Sequence, residues 1–295
     1  MNTEKEKIAI ERLKAFEPES EPYYLCYSGG KDSDTIRILA TLAGVKHDIV
    51  NNHTTVDAPE TVRYIRTIPN VQIKMPEKTM WQLIEERLMP PTRIVRYCCS
   101  ELKERGGAGR KKVTGVRWAE STGRKRNQGA ITVIGKQATM AKEAEARGLD
   151  YLQTEKGGIV MNDDNADTRR FVEHCYRTTS TLVNPIIDWT DEDVWQFLHH
   201  YGCESNPLYK CGFKRIGCIG CPMVSKAERI MEFNRYPKYK ENYLRAFGRM
   251  LKKRHEKGLD TKWKTPEEVF AWWMGDDPNQ LTIDDLAEMM EDVEL

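Results

Sequence analysis

Six residues, Ser28-Gly29-Gly30-Lys31-Asp32-Ser33, follow directly on the apolar run Tyr23-Tyr24-Leu25-Cys26-Tyr27 and restrict the fold more than any other stretch of this chain. A buried strand, two glycines, a lysine and an Asp/Ser pair suited to opening a helix together make a phosphate cradle. Glycine lets backbone N–H groups approach anionic oxygens with no Cβ in the way, the helix start adds its positive dipole end, and Lys31 supplies a point charge. A bare Gly-Gly turn ahead of a helix is common and needs no ligand; the whole six-residue string behind a strand shifts the weight to nucleotide phosphates. Leu25 and Asp32 stand where a Walker loop requires glycine and Ser/Thr, so a P-loop kinase or GTPase is excluded by the residues themselves.

Around this turn the chain alternates short apolar runs with amphipathic segments, which predicts an α/β fold with a mostly parallel, doubly wound sheet. Strands are expected at Tyr23–Tyr27, Val45–Asn51, Val71–Met75 and Lys112–Val116. Helices are expected at Asp34–Ala43, Pro59–Ile68 and Thr79–Leu88. Ligands of such sheets gather at the carboxyl ends of the strands, where Ser28–Ser33 and the loop Asn52–Asp57 would both lie. Residues 123–167 are polar and weakly patterned and read as a variable insertion with one helix near Ala138–Ala146. Thr190-Asp191-Glu192-Asp193 is a capped helix start, and from Ser225 the pattern is helical, with Trp272-Trp273 expected in a core. The division that follows is a nucleotide-binding α/β domain over residues 1–200, then a cysteine-pair loop and a helical C-terminal region over 201–295.

Charge narrows the partners. The 46 basic and 45 acidic residues nearly cancel, so no overall field draws nucleic acid or an anionic membrane. The stretch Arg105, Arg110, Lys111, Lys112, Arg117, Arg124, Lys125 and Arg126 is locally basic and admits a nucleic-acid backbone, a nucleotide, or a solvated loop. No apolar run approaches the roughly 18 residues of a membrane span, and Met1–Lys7 lacks the core of a secretion signal, so a cytoplasmic protein without a membrane partner is expected.

Eight cysteines in a reducing compartment point to metal or redox chemistry rather than a disulfide framework. Cys98 and Cys99 are adjacent, and Cys218-Ile219-Gly220-Cys221 is a C-x-x-C whose turn faces both sulfurs to one side. Four such cysteines suit a 4Fe-4S cluster or a structural zinc, whereas a redox dithiol needs only the C-x-x-C. Cys26, Cys175 and Cys203 read as buried apolar residues, and Cys211 stays open.

The Ser28–Ser33 string resembles the PP-loop of the ATP pyrophosphatases, the adenine-nucleotide alpha-hydrolase group that cleaves ATP between its α and β phosphates. Arg96-Tyr97-Cys98-Cys99-Ser100-Glu101-Leu102-Lys103 and Asn206-Pro207-Leu208-Tyr209 through Cys218-Ile219-Gly220-Cys221 resemble the two cysteine segments of iron–sulfur adenylyl-sulfate reductases. Asp57-Ala58-Pro59-Glu60-Thr61, Gly115-Val116-Arg117 with Glu120-Ser121, and Asp188 through Trp195 are similar to segments of the phosphoadenosine phosphosulfate (PAPS) reductase family. The resemblance implies an adenine nucleotide alpha-hydrolase-like fold. It implies that Cys98, Cys99, Cys218 and Cys221 ligate one 4Fe-4S cluster, with zinc the lesser reading, and that Ser28, Gly29, Gly30, Lys31, Asp32, Ser33, Asp57, Gly115 and Arg117 contact the nucleotide.

Two departures shape the expected function. A sulfonucleotide reductase of this family uses a cysteine near its C-terminus, and no cysteine follows Cys221 here. Those reductases have also lost much of the ATP-cleaving loop, which is intact in this chain. The expectation is an ATP-dependent, AMP-forming sulfur-transfer enzyme using Mg²⁺ and a 4Fe-4S cluster, with Lys31, Asp32 and Arg117 as catalytic residues. Asp32 is equally explained as a helix cap and as a metal holder. The sulfur acceptor stays open, nucleic acid included, as do a homo-oligomer and a partner protein. The rivals are an adenylyl-sulfate or PAPS reductase releasing sulfite, and a nucleotide-sensing or DNA-associated protein with a structural cluster.

Overall fold

The computed structural model describes residues 3–135, 137–154, 158–177 and 179–275. They divide into two compact units, each assembled from several stretches of chain.

The first unit draws on residues 1–52, 59–74 and 106–216 and holds one eight-stranded sheet. Its strands are β1 (Tyr23–Cys26), β2 (His47–Asn52), β3 (Val71–Lys74), β4 (Lys112–Val113), β5 (Ile131–Ile134), β6 (Leu152–Gln153), β7 (Ile159–Met161) and β8 (Ser180–Val183). Their order is β3-β2-β1-β4-β8-β5-β7-β6, parallel from β3 through β8 and antiparallel beyond. The chain winds outward from β1 to β3, returns to the centre, and continues the other way through β4 and β8. Right-handed crossovers then place the helices of the two halves on opposite faces, and the crevice opens where the order reverses, between β1 and β4. The turn after β1 is at that point.

The core reads directly from the apolar runs. Tyr23, Tyr24 and Leu25 are fully buried, and Ile36, Leu39 and Ala40 of the next helix share one core with Tyr23 and Leu25. That helix spans Lys31–Ala43, three residues earlier than its apolar pattern predicts, because Gly30 takes the N-cap position and Ser33 closes the first turn on it. Gly44, at φ +69°, ends it in the left-handed conformation that glycine adopts without strain. Thr190 and Asp193 form the expected reciprocal cap of the helix Asp191–His200.

The stretch expected to be a variable insertion instead supplies three strands, β5 to β7, besides its helix Gln137–Ala146. Ile131, Val133, Ile159 and Met161 are buried in the main core. Strands two to four residues long, separated by polar turns, carry too little periodicity to stand out in sequence.

The second unit draws on residues 53–58, 75–105 and 217 onward. Its helices Met80–Arg87, Lys226–Arg235, Pro237–Glu256 and Pro266–Met274 surround an aromatic core in which the Trp273 ring lies 4.6 Å from that of Tyr243 and 5.6 Å from that of Phe247. Trp272 and Trp273 are both buried, and Trp273 Nε1 donates to the Pro91 carbonyl at 2.7 Å, so these indoles are packing residues. No helix among the described residues is long and apolar enough to cross a membrane.

Candidate functional site

The glycine-lysine turn is held from several sides. Gly29 sits at φ +72°, and a Cβ there would come within 2.8 Å of Ile65 Cγ1; both facts require glycine. Asn206 Nδ2 donates to the Gly29 carbonyl at 3.0 Å and to Thr61 Oγ1 at 3.1 Å. The Gly30 N–H donates to Ser33 Oγ at 3.1 Å, and the Lys31 N–H donates to Tyr209 Oη at 2.8 Å.

Charge is concentrated beside the turn. Lys31, 7% exposed, places Nζ 3.6 Å from Asp32 Oδ2 and 3.4 Å from Asp191 Oδ1. Arg117, 1% exposed, donates from Nε to Asp32 Oδ1 at 2.7 Å, from Nη2 to Asp191 Oδ1 at 2.6 Å and from Nη1 to the Trp189 carbonyl at 3.3 Å. Burial disfavours the Arg117 cation, but the charges of Asp32 and Asp191 outweigh it and raise its pKa. Burial likewise pushes Asp191 upward, and the hydrogen bond from Arg117 with the charge of Lys31 brings it below the usual carboxylate range. Two cations and two carboxylates thus form one compact network in which Arg117 fixes both acids.

Gly115 belongs here for a steric reason. A Cβ at this position would lie 2.9 Å from both Cβ and the carbonyl oxygen of Asp32. Gly115→Ala is therefore expected to cost about 1–3 kcal/mol of stability through overpacking and to displace the start of the loop helix; a denaturant melt together with ATP titration reads both effects.

One turn further, Asp34 is fully buried and accepts hydrogen bonds from Tyr27 at 2.6 Å and Tyr64 at 3.0 Å. Burial pushes its pKa up to about 6, against the lowering effect of the two phenols and Arg37. With the folded pKa above the unfolded value of 3.8, the folded state binds more protons in this interval, so stability falls as pH rises from about 4 to 6. The full effect is about 3 kcal/mol. Asp34→Asn should flatten that part of the stability–pH curve; an unchanged slope in urea melts between pH 4 and 7 would show that Asp34 is not its source.

A cavity of about 840 Å³ in this unit is lined by Arg37, Tyr64, Tyr201 and Cys203 and by none of residues 28–33. A phosphate cradle built from backbone amides at a helix start needs no deep pocket, so this volume is no argument against one at residues 28–33.

In the second unit Cys98, Cys99, Cys218 and Cys221 line one cavity of about 20 Å³, together with Thr54, Leu102, Lys103 and Tyr243. Cys98 and Cys99 end the helical turn Tyr97–Cys99, which runs into a π-helical turn at Ser100–Glu104, a geometry frequent at functional sites. The C-x-x-C turn is fixed through its backbone. Ile219 N–H donates to the Val56 carbonyl at 2.8 Å, Gly220 N–H to Glu232 Oε2 at 2.7 Å, and Tyr243 Oη to the Ile219 carbonyl at 3.0 Å. Gly220, at φ +74°, leaves no room for a side chain, since a Cβ would meet Phe233 at 2.6 Å.

The thiols are electrostatically tied together. A hydrogen bond from Cys98 holds the Cys99 pKa below the usual thiol range, with Arg96 and Lys103 adding to the effect, while Cys98 is raised by that same bond and by burial. Burial raises Cys218, opposed by Lys103. No group of three or more His, Cys, Asp or Glu among the described residues is arranged to hold a metal ion, whereas a zinc site needs its sulfurs about 2.3 Å from one point.

Asp57 was expected at the nucleotide. It lies in the second unit, where its carboxylate takes His53 Nδ1 at 2.9 Å and the Thr54 N–H at 2.8 Å, its carbonyl accepts from Tyr239 Oη, and its backbone bridges to Cys218. Burial works against its charge, but the bonds from His53 and Thr54 prevail and lower its pKa. In this position its backbone supports the cysteine turn. Of the other cysteines, Cys175 is buried, Cys26 and Cys203 are half-buried, and Cys211 is exposed.

The basic stretch is largely engaged internally: Arg105 pairs with Glu101, Arg110 with Asp48, Lys111 with Glu173, Arg117 with Asp32 and Asp191, and Arg124 with Glu120. Three residues at the turn went unassigned in the sequence. Asp191 read only as a helix opener, and Asn206 and Tyr209 only as part of a matching segment, although that segment was the available signal.

An uncharacterized protein of Methanocaldococcus jannaschii is 24% identical over 221 residues, 72% of this chain and 44% of its own length. An adenosine 5'-phosphosulfate reductase of Bacillus cereus is 32% identical over 78 residues, 25% of this chain and 33% of that one. Among solved structures, the phosphate complex of a phosphoadenylyl-sulfate reductase from Candida auris overlaps with a TM-score of 0.41 at 13% identity, covering 71% of this chain and 87% of that one. The chain matches less than half the length of the first curated relatives, between 26% and 44%. The model of the phosphoadenosine phosphosulfate reductase domain matches residues 22–224. Spanning more than half of the sequence and running from β1 through the second cysteine pair, that match makes this chain a member of the phosphoadenosine phosphosulfate reductase domain family.

Proposed function

We propose that this chain is an ATP pyrophosphatase-type sulfurtransferase. The observation that carries the reading is the intact Ser28–Ser33 turn at the switch point of the parallel sheet, with Lys31 and Arg117 beside it. The amides of the turn and Lys31 would bind the phosphates of ATP and hold the α-phosphorus for attack. An acceptor oxygen attacks that phosphorus, the α–β bridging bond breaks, and pyrophosphate leaves with the electron pair, its charge met by Lys31 and the Arg117 network. A sulfide-class donor then attacks the activated carbon or phosphorus. Its new bond to sulfur replaces the bond to oxygen, and AMP departs.

Asp32 and Asp191 are the carboxylates that could share a Mg²⁺ with the phosphates, since Mg²⁺ binds through one or two carboxylates and keeps several waters. The donor set of the cysteine cavity fits a 4Fe-4S cluster better than one ion. Four thiols line it, Lys103 and Arg96 offset thiolate charge, and a cluster spreads its four sulfur ligands over separate irons. Cys98, Cys99, Cys218 and Cys221 would hold it, and when bound it would supply iron able to carry sulfide. The residues around it keep the cysteines oriented: Glu232 and Tyr243 through the turn's backbone, Asp57 through its bridge to Cys218.

Family membership favours one further reading, a reductase that releases sulfite from a sulfonucleotide. Incubating anaerobically prepared protein with ATP, adenylyl sulfate and PAPS in parallel separates the two. AMP and pyrophosphate from ATP support the sulfurtransferase; sulfite from either sulfonucleotide, with ATP untouched, replaces it by the reductase.

A further inference from the structure

Lys31 is the first residue of its helix, so its N–H has no acceptor within the helix and is one of the donors that a phosphate oxygen would take. That donor is already engaged by the Tyr209 hydroxyl at 2.8 Å. A phenol oxygen that accepts from an amide still has its own proton to give. Among the described residues the Tyr209 hydroxyl has no hydrogen-bond partner besides the Lys31 N–H.

The phenol is also fixed in place. Its ring stands edge-on to Trp195, with centroids 5.0 Å apart and planes at 86°. It is carried on the short 3-10 turn Pro207–Cys211, which Asn206 caps by accepting from the Leu208 N–H at 3.1 Å. The amide nitrogen of that same Asn206 side chain donates to the Gly29 carbonyl, so one residue ties the tyrosine's segment to the glycine turn. A Cβ built on Gly30 would lie 3.3 Å from the phenol oxygen, which therefore sits directly over the Gly30–Lys31 peptide. Burial raises the phenol's pKa, so it stays a neutral donor at any working pH.

Two roles could follow from this placement. A loosely held hydroxyl would be a stand-in for a phosphate oxygen, leaving when the nucleotide enters. A hydroxyl anchored by a ring contact, a capped turn and a shared asparagine is preorganised to stay.

We propose that Tyr209 is a phosphate-positioning residue whose hydroxyl, oriented by the Lys31 N–H, donates its own proton to a nonbridging phosphate oxygen of the nucleotide in the cradle. The assignment rests on the ATP reading and adds to it a side-chain donor reaching further from the turn than the amide beneath it. It distinguishes ligands that carry a phosphate group at the turn from those that do not.

The test is calorimetric titration of the full chain and its Tyr209→Phe variant with ATP, inorganic pyrophosphate and adenosine. The variant keeps the ring and its contact with Trp195. Loss of one hydrogen bond to a charged oxygen is expected to weaken ATP and pyrophosphate binding about tenfold each, with adenosine affinity unchanged. Tyr209→His, which retains an N–H donor at shorter reach, should recover part of the loss, and it carries the test if phenylalanine lowers the melting temperature. Equal ATP affinity in Tyr209→Phe and the parent would overturn the assignment, and tighter binding would make the phenol a competitor of phosphate instead. A parent chain that binds neither ATP nor pyrophosphate would overturn the ATP reading and this assignment with it, an outcome that needs no variant to detect.

Discussion

Lys31→Ala is expected to lower the rate of ATP cleavage to AMP and pyrophosphate by about 10²–10³-fold, the usual effect of deleting one preorganised group that meets charge developing in a transition state. The lysine is nearly buried and held between Asp32 and Asp191, so its ammonium does not have to be ordered when the nucleotide arrives. Removal also frees two acids whose repulsion from the phosphates it had offset. ATP affinity should fall along with turnover. Lys31→Arg should not restore activity, because a planar guanidinium presents its charge as a rigid fork of donors and not as a compact point charge. Measuring pyrophosphate release for parent and both variants checks the expectation. Parent-like cleavage in Lys31→Ala would remove the catalytic role of the turn.

Cys218→Ser is expected to abolish retention of a 4Fe-4S cluster, taking anaerobically reconstituted protein from about four irons per chain to near none. The sulfur lost is one of four that line a single cavity, and serine replaces a soft thiolate with a hard, weakly acidic hydroxyl. Cys175→Ser serves as the control, because that thiol is buried in the sheet core and lines no part of the cysteine cavity. Iron analysis with visible absorption reads the result. Equal iron in Cys218→Ser and the parent would show that the four cysteines do not act as one ligand set, and an iron-free parent would dismiss the cluster altogether.

How much of this was legible beforehand follows from the range over which each signal acts. The first three strands and the helices between them were visible because each carries a local, repeated apolar pattern. The turn at Ser28–Ser33 was visible because its six residues are consecutive, running from the loop into the first turn of the helix. The strands β5 to β8 were not, since their apolar residues lie in polar surroundings without a repeated pattern and owe their strand state to neighbours in the sheet. Arg117 was picked out as a ligand, but its three contacts, two of them to carboxylates far apart in sequence, give it an anchoring position that no local reading shows.

By itself the sequence determined the family, the glycine-lysine turn between its strand and helix, the grouping of four cysteines in two pairs and the helical character of the described residues after Ser225, because all of these are carried by adjacent residues or by short periods. Only the tertiary structure decided that Asp191 and Asn206 serve the turn, that Tyr209 holds the Lys31 amide, and that Asp57 belongs to the cysteine loop. Each of these contacts joins residues between 160 and 178 positions apart in the chain. Hydrogen bonds and ion pairs are settled by distances of about 3 Å, and across such separations those distances are set by the fold, not by the order of residues along the chain.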